Sequence, residues 1–342
     1  MTVLGLDIGG ANLKAADARG TAVARPFEVW RHSQRLAEAL GALIDGLPGR
    51  YDTLAVTMTA ELCDCFRTKR AGVDAVLDAV EAVAAGREVR VWRTDGRFVG
   101  VAEARAAPLL TAASNWAALA ALVAEGRPGR TLLIDVGSTT ADCVPLRDGM
   151  SAARGMTDPE RLAAGELVYT GVRRTPVCAA VRTVPWRGAE VPVAAELFAT
   201  TLDAHLLLGN LPADPDDRGT ADGRPATREF AAERLARVIC ADAEMLSADE
   251  IRTIAAAVAE RQAADLRAAV SRVTAGWPPG WAAVVSGAGE FLARAALPAG
   301  TPVTSLRDTL GAALSEVAPA YAVAVLADRA ASLIPRTAGS DR

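Results

Sequence analysis

The feature that most constrains this chain is an apolar strand that ends in a carboxylate and a glycine turn, written twice. The first copy is Val3-Leu4-Gly5-Leu6-Asp7-Ile8-Gly9-Gly10-Ala11-Asn12-Leu13-Lys14. The second is Leu132-Leu133-Ile134-Asp135-Val136-Gly137-Ser138-Thr139-Thr140-Ala141-Asp142, at an offset of 128 residues, with Asp135 matching Asp7 and Gly137 matching Gly9. Further on, Arg19-Gly20 corresponds loosely to Arg147-Asp148-Gly149. A carboxylate delivered by an apolar run can hold a hydrated metal, and the bare backbone of the turn can donate to phosphate oxygens. An ordinary β-hairpin with a Gly-Gly turn accounts for the first copy alone. A repeat of this period in 342 residues points instead to two related α/β halves across a cleft, each offering one Asp-Gly loop.

A third glycine element comes late. Ala283-Val284-Val285-Ser286-Gly287-Ala288-Gly289-Glu290 reads as a buried strand running into Gly-x-Gly and a helix. Between the repeats, Thr53–Met58 reads as a buried strand. It delivers Thr59-Ala60-Glu61-Leu62-Cys63-Asp64-Cys65-Phe66-Arg67-Thr68-Lys69-Arg70 to the carboxyl end of the sheet, where open α/β sheets bind ligands. That segment reads as a site loop, or as a solvated charged loop. Of 37 basic residues only two are lysines, Lys14 and Lys69, and both fall in these motifs. A compact ammonium is not interchangeable with a guanidinium, so both read as functional.

The pattern also predicts a third strand over 21–30 and helices over 35–47, 73–85, 112–124, 230–245, 248–275 and 316–333, with a hinge at Gly126-Arg127-Pro128-Gly129. The loop at 214–225 carries turn chemistry throughout. Five cysteines, an odd number with no framework spacing, read as packed reduced thiols, with Cys63-x-Cys65 as an open metal alternative. A net charge of −4 offers no basic surface for nucleic acid or anionic membrane. No apolar run reaches the length of a membrane span, and the implied compartment is the cytoplasm.

The three glycine elements, in this order, resemble the superfamily of actin, sugar kinases and heat-shock ATPases. The fold this implies is α/β, with duplicated actin-like (ribonuclease H-like) halves around a central cleft and a helical insert in the second half. The halves would be 1–127 and 128–342, with a substrate-specific insert at about 150–275. The middle motifs narrow the resemblance. Met58-Thr59-Ala60-Glu61-Leu62-x-Asp64 with Lys69-Arg70-x-Gly72, and Gly165-Glu166-Leu167-Val168-Tyr169-Thr170-Gly171-Val172 with Arg174-Thr175-Pro176, resemble the hydantoinase/oxoprolinase-like branch. That branch is linked to methanofuran biosynthesis and tetrahydromethanopterin one-carbon transfer, and the likeness runs from Leu4 to about Leu333.

The resemblance implies an aryl-ether-forming transferase that joins a furan-methyl diphosphate to the phenol of γ-glutamyltyramine and releases diphosphate. It implies Mg²⁺ at Asp7 and Asp135, with ATP admitted but not required. Phosphate contacts would come from Gly9, Gly10, Asn12, Lys14, Gly137, Ser138, Thr139, Thr140, Gly287 and Gly289. Lys14 would neutralise the leaving group. The base would be a carboxylate, with Glu61, Asp64 and Asp142 the candidates in that order. Substrate contacts would fall to Lys69, Arg70, Glu166, Tyr169, Thr170 and Arg174. The expected partners are these small molecules, with no nucleic acid and no membrane. The alanine-rich late helices suit a homo-oligomer interface as well as a core. The competing classes are an ATP-dependent kinase or lactam hydrolase, for which the Gly-x-Gly turn speaks, and a nucleotide-switched regulator, for which no helix-turn-helix or basic patch speaks.

Overall fold

A computed structural model describes residues 2–332, so Leu333, the predicted end of the last helix, lies outside the described residues. The chain divides into two compact units. One holds residues 2–133, 144–161 and 304–332; the other holds 134–143 and 162–303.

The first unit is built on a six-stranded sheet. Its strands are β1 (Val3–Ile8), β2 (Asn12–Asp17), β3 (Ala22–Pro26), β4 (Thr53–Met58), β5 (Glu88–Trp92) and β6 (Phe98–Val99), in the order β3-β2-β1-β4-β5-β6. β1, β2 and β3 pair antiparallel, whereas β1, β4 and β5 run parallel. All six residues of β1 and of β4 are buried, as expected of central strands covered on both faces. The Leu36–Asp45 helix buries Leu36, Leu40, Leu43 and Ile44, and the Lys69–Ala84 helix buries Val73, Val76, Leu77 and Val80. Both stripes follow helical spacing and close the core over Leu4, Leu6, Ile8, Leu54, Val56 and Met58.

The last helix, Ala318–Ser332, packs on β1 at its one glycine. A Cβ on Gly5 would lie 1.9 Å from the Ala320 carbonyl oxygen, so only a residue without one admits this approach.

The second sheet repeats the logic. Its strands β7 (Arg130–Val136), β8 (Ala141–Arg147), β10 (Leu167–Val168), β13 (Ala282–Ser286) and β14 (Val303–Ser305) take the order β10-β8-β7-β13-β14, with β9 (Met150–Ser151) paired to β8. The hairpin β11 (Thr183–Trp186) and β12 (Ala189–Pro192) stands apart. In both sheets a first strand lies between its hairpin partner and a later, non-consecutive strand. This is the duplicated actin-like order. The helices Thr201–Leu208, Arg228–Arg237 and Ala248–Val273 belong to the second unit, with a core of Val177, Leu235, Ile251, Ile254 and Val258.

Several elements differ from the sequence reading. β3 stops at Pro26, which cannot extend a ladder, and Val29–His32 forms a helical turn instead. The 69–84 helix starts four residues early because Thr68 caps it, accepting from the Ala71 N–H at 3.1 Å. Lys69 and Arg70 therefore stand on a helix, not in a loop. The helix predicted over 230–245 ends at Arg237, and Cys240 then takes a left-handed conformation (φ 59°). Residues 144–161 and 304–332 belong to the first unit although they follow the predicted hinge.

Replacing Gly5 by Ala should lower stability by at least about 1–3 kcal/mol through overpacking against the last helix. Thermal unfolding of G5A beside the wild type checks this; an unchanged midpoint contradicts the contact.

Candidate active site

The two glycine hairpins close alike. The Gly9 N–H donates to the Asn12 carbonyl at 3.0 Å, and the Gly137 N–H donates to the Thr140 carbonyl at 2.9 Å. The equivalent residues thus make the equivalent turn in each unit. These two amides are committed to shaping the loop, so donation to phosphate would fall to residues further round: Gly10 and Asn12 in one, Ser138, Thr139 and Thr140 in the other. All of these are half-buried.

Asp7 is the penultimate residue of β1 and only 3% exposed. Strand register sets Lys14 opposite it on β2, and Lys14 Nζ stands 3.6 Å from Asp7 Oδ2. A buried carboxylate needs such a partner, because desolvation otherwise drives it neutral. Cys63 packs beside this loop: a Cβ on Gly10 would sit 2.9 Å from its sulfur.

Glu61 lies in the short helical turn Ala60–Leu62 that follows β4, and is 1% exposed. Gly72 admits it, since a Cβ there would fall 2.2 Å from the Glu61 carbonyl oxygen. Among the described residues neither carboxylate oxygen of Glu61 has a hydrogen-bond partner. Lys69 Nζ approaches Oε1 only to 3.7 Å, while its hydrogen bond goes to Asp158 Oδ2 at 2.5 Å. Burial pushes the Glu61 carboxyl up to about 7. The Asp158 charge pushes the same way, while Lys69 and the backbone N–H groups of Glu61 and Ala113 oppose it. Ala113 itself is held left-handed (φ 48°), a strained conformation for alanine.

In the second unit the Gly287–Gly289 turn is pressed onto the end of β7. A Cβ on Gly287 (φ 86°) would meet the Val136 oxygen at 2.4 Å and Asp135 Oδ1 at 2.7 Å. The Gly289 N–H donates to the Val136 carbonyl at 2.9 Å. The 171–174 segment clasps the second hairpin: Val172 N–H donates to the Gly137 carbonyl, and Arg173 and Arg174 N–H donate to that of Ser138, at 3.0–3.1 Å.

Gln262 fixes that segment from the long helix. Its Nε2 donates to Thr170 Oγ1 at 2.7 Å and to the Gly171 carbonyl at 2.9 Å, and its Oε1 meets His205 Nε2 at 2.9 Å. Burial lowers His205 to about 4 despite this bond, so the imidazole is neutral and serves the network.

The candidate residues therefore sort unevenly. Thr170 is tied to Gln262, whereas Tyr169 (61% exposed) and Arg174 face solvent. Asp142 and Glu166 are buried around the β8–β10 pairing. Asp64 and Arg70 are exposed, and the Arg70 guanidinium donates to the Arg105 carbonyl at 3.3 Å. Asp158, Ala113 and Gln262 escaped the sequence reading, because none lies in a motif or at a diagnostic spacing.

Among the described residues no group of three or more His, Cys, Asp or Glu side chains could hold a metal, Cys63 and Cys65 included. Mg²⁺ needs no such cage: one or two carboxylates, water and substrate phosphate suffice. Asp7, buried at a strand end beside a glycine loop, fits that role, and Asp135 occupies the matching place in the second unit. No helix among the described residues is long and apolar enough to cross a membrane.

A duplicated sheet order, with a carboxylate–glycine hairpin opening each half, defines an actin-like α/β protein. The hydantoinase/oxoprolinase family profile matches residues 52–330, and the chain belongs to that family. A protein of Methanocaldococcus jannaschii named (4-{4-[2-(γ-L-glutamylamino)ethyl]phenoxymethyl}furan-2-yl)methanamine synthase is 34% identical over 327 residues, covering 95% of this chain and 97% of its own. A protein of the same name from Methanococcus vannielii is 38% identical over 124 residues, 36% of this chain and 55% of that protein. Among solved structures, a nucleotide-free acetone carboxylase overlaps at TM-score 0.49 and 14% identity, covering 92% of this chain and 51% of that one.

The raised Glu61 pKa carries a stability prediction. Between the ordinary 4.5 and about 7 the folded chain holds a proton that the unfolded chain has lost, so stability falls as pH rises through this window and levels off above it. Glu61→Gln should remove that slope and be the more stable protein at pH 8, by up to about 3 kcal/mol. Urea denaturation at pH 5 and pH 8 measures both; parallel behaviour of the two proteins contradicts a neutral buried Glu61.

Proposed function

We propose that this chain forms the aryl ether of a methanofuran-type cofactor precursor, joining an aminomethylfuran-methyl group to the phenol oxygen of γ-glutamyltyramine. The observation that carries this reading is the 34% identity to the Methanocaldococcus synthase across nearly the whole of both chains. The printed name of that relative describes the phenoxymethyl-furan product. The furan-methyl group arrives as its diphosphate: the methylene–oxygen bond to diphosphate breaks with its electron pair, the phenol oxygen bonds to the methylene, and the phenol proton leaves to a base.

Each part of the chemistry has a candidate on the chain. Glu61 takes the phenol proton, directly or through one water, because a base works best with a pKa near the working pH. An unperturbed phenol at ~10 makes such help worthwhile. With Glu61 only 1% exposed, the substrate must displace part of its cover to reach it. Lys14, beside Asp7, offsets charge gathering on the leaving group, and the first hairpin loop beyond Gly9 donates to its phosphate oxygens. Asp7 in the first unit is the candidate Mg²⁺ donor there, and Asp135 is its counterpart in the second unit; an ion bound beside the diphosphate would add Lewis-acid stabilisation. Of the substrate-contact candidates, Tyr169 and Arg174 are exposed at the surface.

ATP-dependent phosphotransfer is the second reading, favoured by the Gly287–Gly289 turn seated against Asp135 and Val136. The test is diphosphate release with Mg²⁺, furan-methyl diphosphate and γ-glutamyltyramine, with and without ATP. Release that needs both organic substrates but not ATP, with the ether mass appearing, supports the condensation; ADP formation without it supports the kinase. Asp7→Asn should lose most ether formation, and full activity in that variant removes its metal role. Glu61→Gln should slow the reaction about 10²–10⁴-fold and abolish a rise of kcat/KM centred near pH 7.

A further inference from the structure

We propose that Asp158 is a positioning residue for this reaction: it draws the Lys69 ammonium away from Glu61 and so keeps Glu61 a base instead of half of a salt bridge. The inference deepens the role given to Glu61 above and rests on that reading.

The argument begins with an asymmetry. Lys69 Nζ lies between two carboxylates yet bonds only one, at 2.5 Å to Asp158 and 3.7 Å to Glu61. The better-buried carboxylate, at 1% side-chain exposure against 18% for Asp158, would ordinarily hold the stronger claim on a cation, since it lacks water. Instead neither Glu61 oxygen meets a partner in full hydrogen-bond geometry among the described residues, the backbone N–H groups of Glu61 and Ala113 being its remaining polar neighbours. A buried polar group left in this state calls for an explanation. A catalytic base meant to accept a proton supplies one, because a full ion pair would hold it as a carboxylate of low basicity.

The surroundings of Glu61 allow this reading. From the Lys69–Ala84 helix it faces Lys69 and the backbone at Gly72; from the 112–115 loop it faces the Ala113 N–H; from the Asp158–Ala164 helix it faces Asp158. Of these, Lys69 and Asp158 are the charged side chains that shift Glu61, and they act on it in opposite directions. Asp158 sits where it can engage Lys69 because its segment is anchored in the same unit, where the Arg161 guanidinium stacks 4.0 Å over the Trp116 ring.

The test follows Glu61 by two readouts. One is the pH profile of kcat/KM for ether formation. The other is the titration of the Glu61 carboxyl by isotope-edited infrared difference spectroscopy, assigned with Glu61→Gln, which does not depend on turnover. Asp158→Asn should let Lys69 settle on Glu61 and move both midpoints down by about 1 pH unit or more, whereas Lys69→Met should move them up. Asp158→Glu should restore the wild-type midpoint. An Asp158→Asn protein whose Glu61 titrates as in the wild type overturns the proposal, even if its activity is lower. Infrared midpoints that shift as stated in a protein that makes no ether would uphold the coupling and sink the condensation reading alone.

Discussion

The structure turns on the cost of burying carboxylates. β1 is inaccessible along its whole length and yet carries Asp7, and an unpaired charge in that position would be intolerable. The antiparallel register answers it with Lys14 on the next strand. Where the chain buries a second acid beside β4, the answer differs. Glu61 is given a lysine at arm's length, and its proton affinity rises toward neutrality. One carboxylate thereby faces a lysine across the ladder, while the other is left ready to exchange a proton. Two residues of the same chemistry part company through their surroundings alone.

Close backbone contact makes these surroundings possible. At Gly5 the last helix comes within the space a Cβ would fill, and at Gly72 the helix bearing Lys69 does the same against the Glu61 turn. Because that helix begins at Lys69, capped by Thr68, its first residue is delivered to the edge of the buried carboxylate. In the second unit the same economy presses Gly287 onto the end of β7 and ties the 171–174 segment to the Ser138 loop. Gln262 and a neutral His205 then hold that segment from the helices behind it. The loops are thus held by contacts within the protein, as the proposed phosphate donors, which must not reorganise, would require.

Family membership and geometry support one account of the chemistry. A leaving diphosphate asks for fixed donors and positive charge, and in the reading proposed above the first hairpin with Lys14 would offer both. A phenol nucleophile asks for a base poised near neutral pH, and in the reading proposed above Glu61, with its Lys69 and Asp158 neighbours, would be that base. Asp64 is exposed, while Asp142, buried on β8, has its place in the strand pairing with β10.

Much of this was legible in the sequence. The repeat of an apolar strand, Asp and Gly announced a duplicated fold, because strand burial and turn chemistry are local properties that leave a local pattern. The identical closure of the two hairpins follows from the same residues. Glu61, Lys14 and Lys69 could be singled out by motif and by the rarity of lysine. The tertiary structure alone decided what each of them meets. Asp158 lies 89 residues from Lys69 in sequence, and Gln262 lies 92 from Thr170, so no spacing could reveal either pair. Packing brings such groups together, and the balance between desolvation and a partner's distance then sets the charge that each one carries.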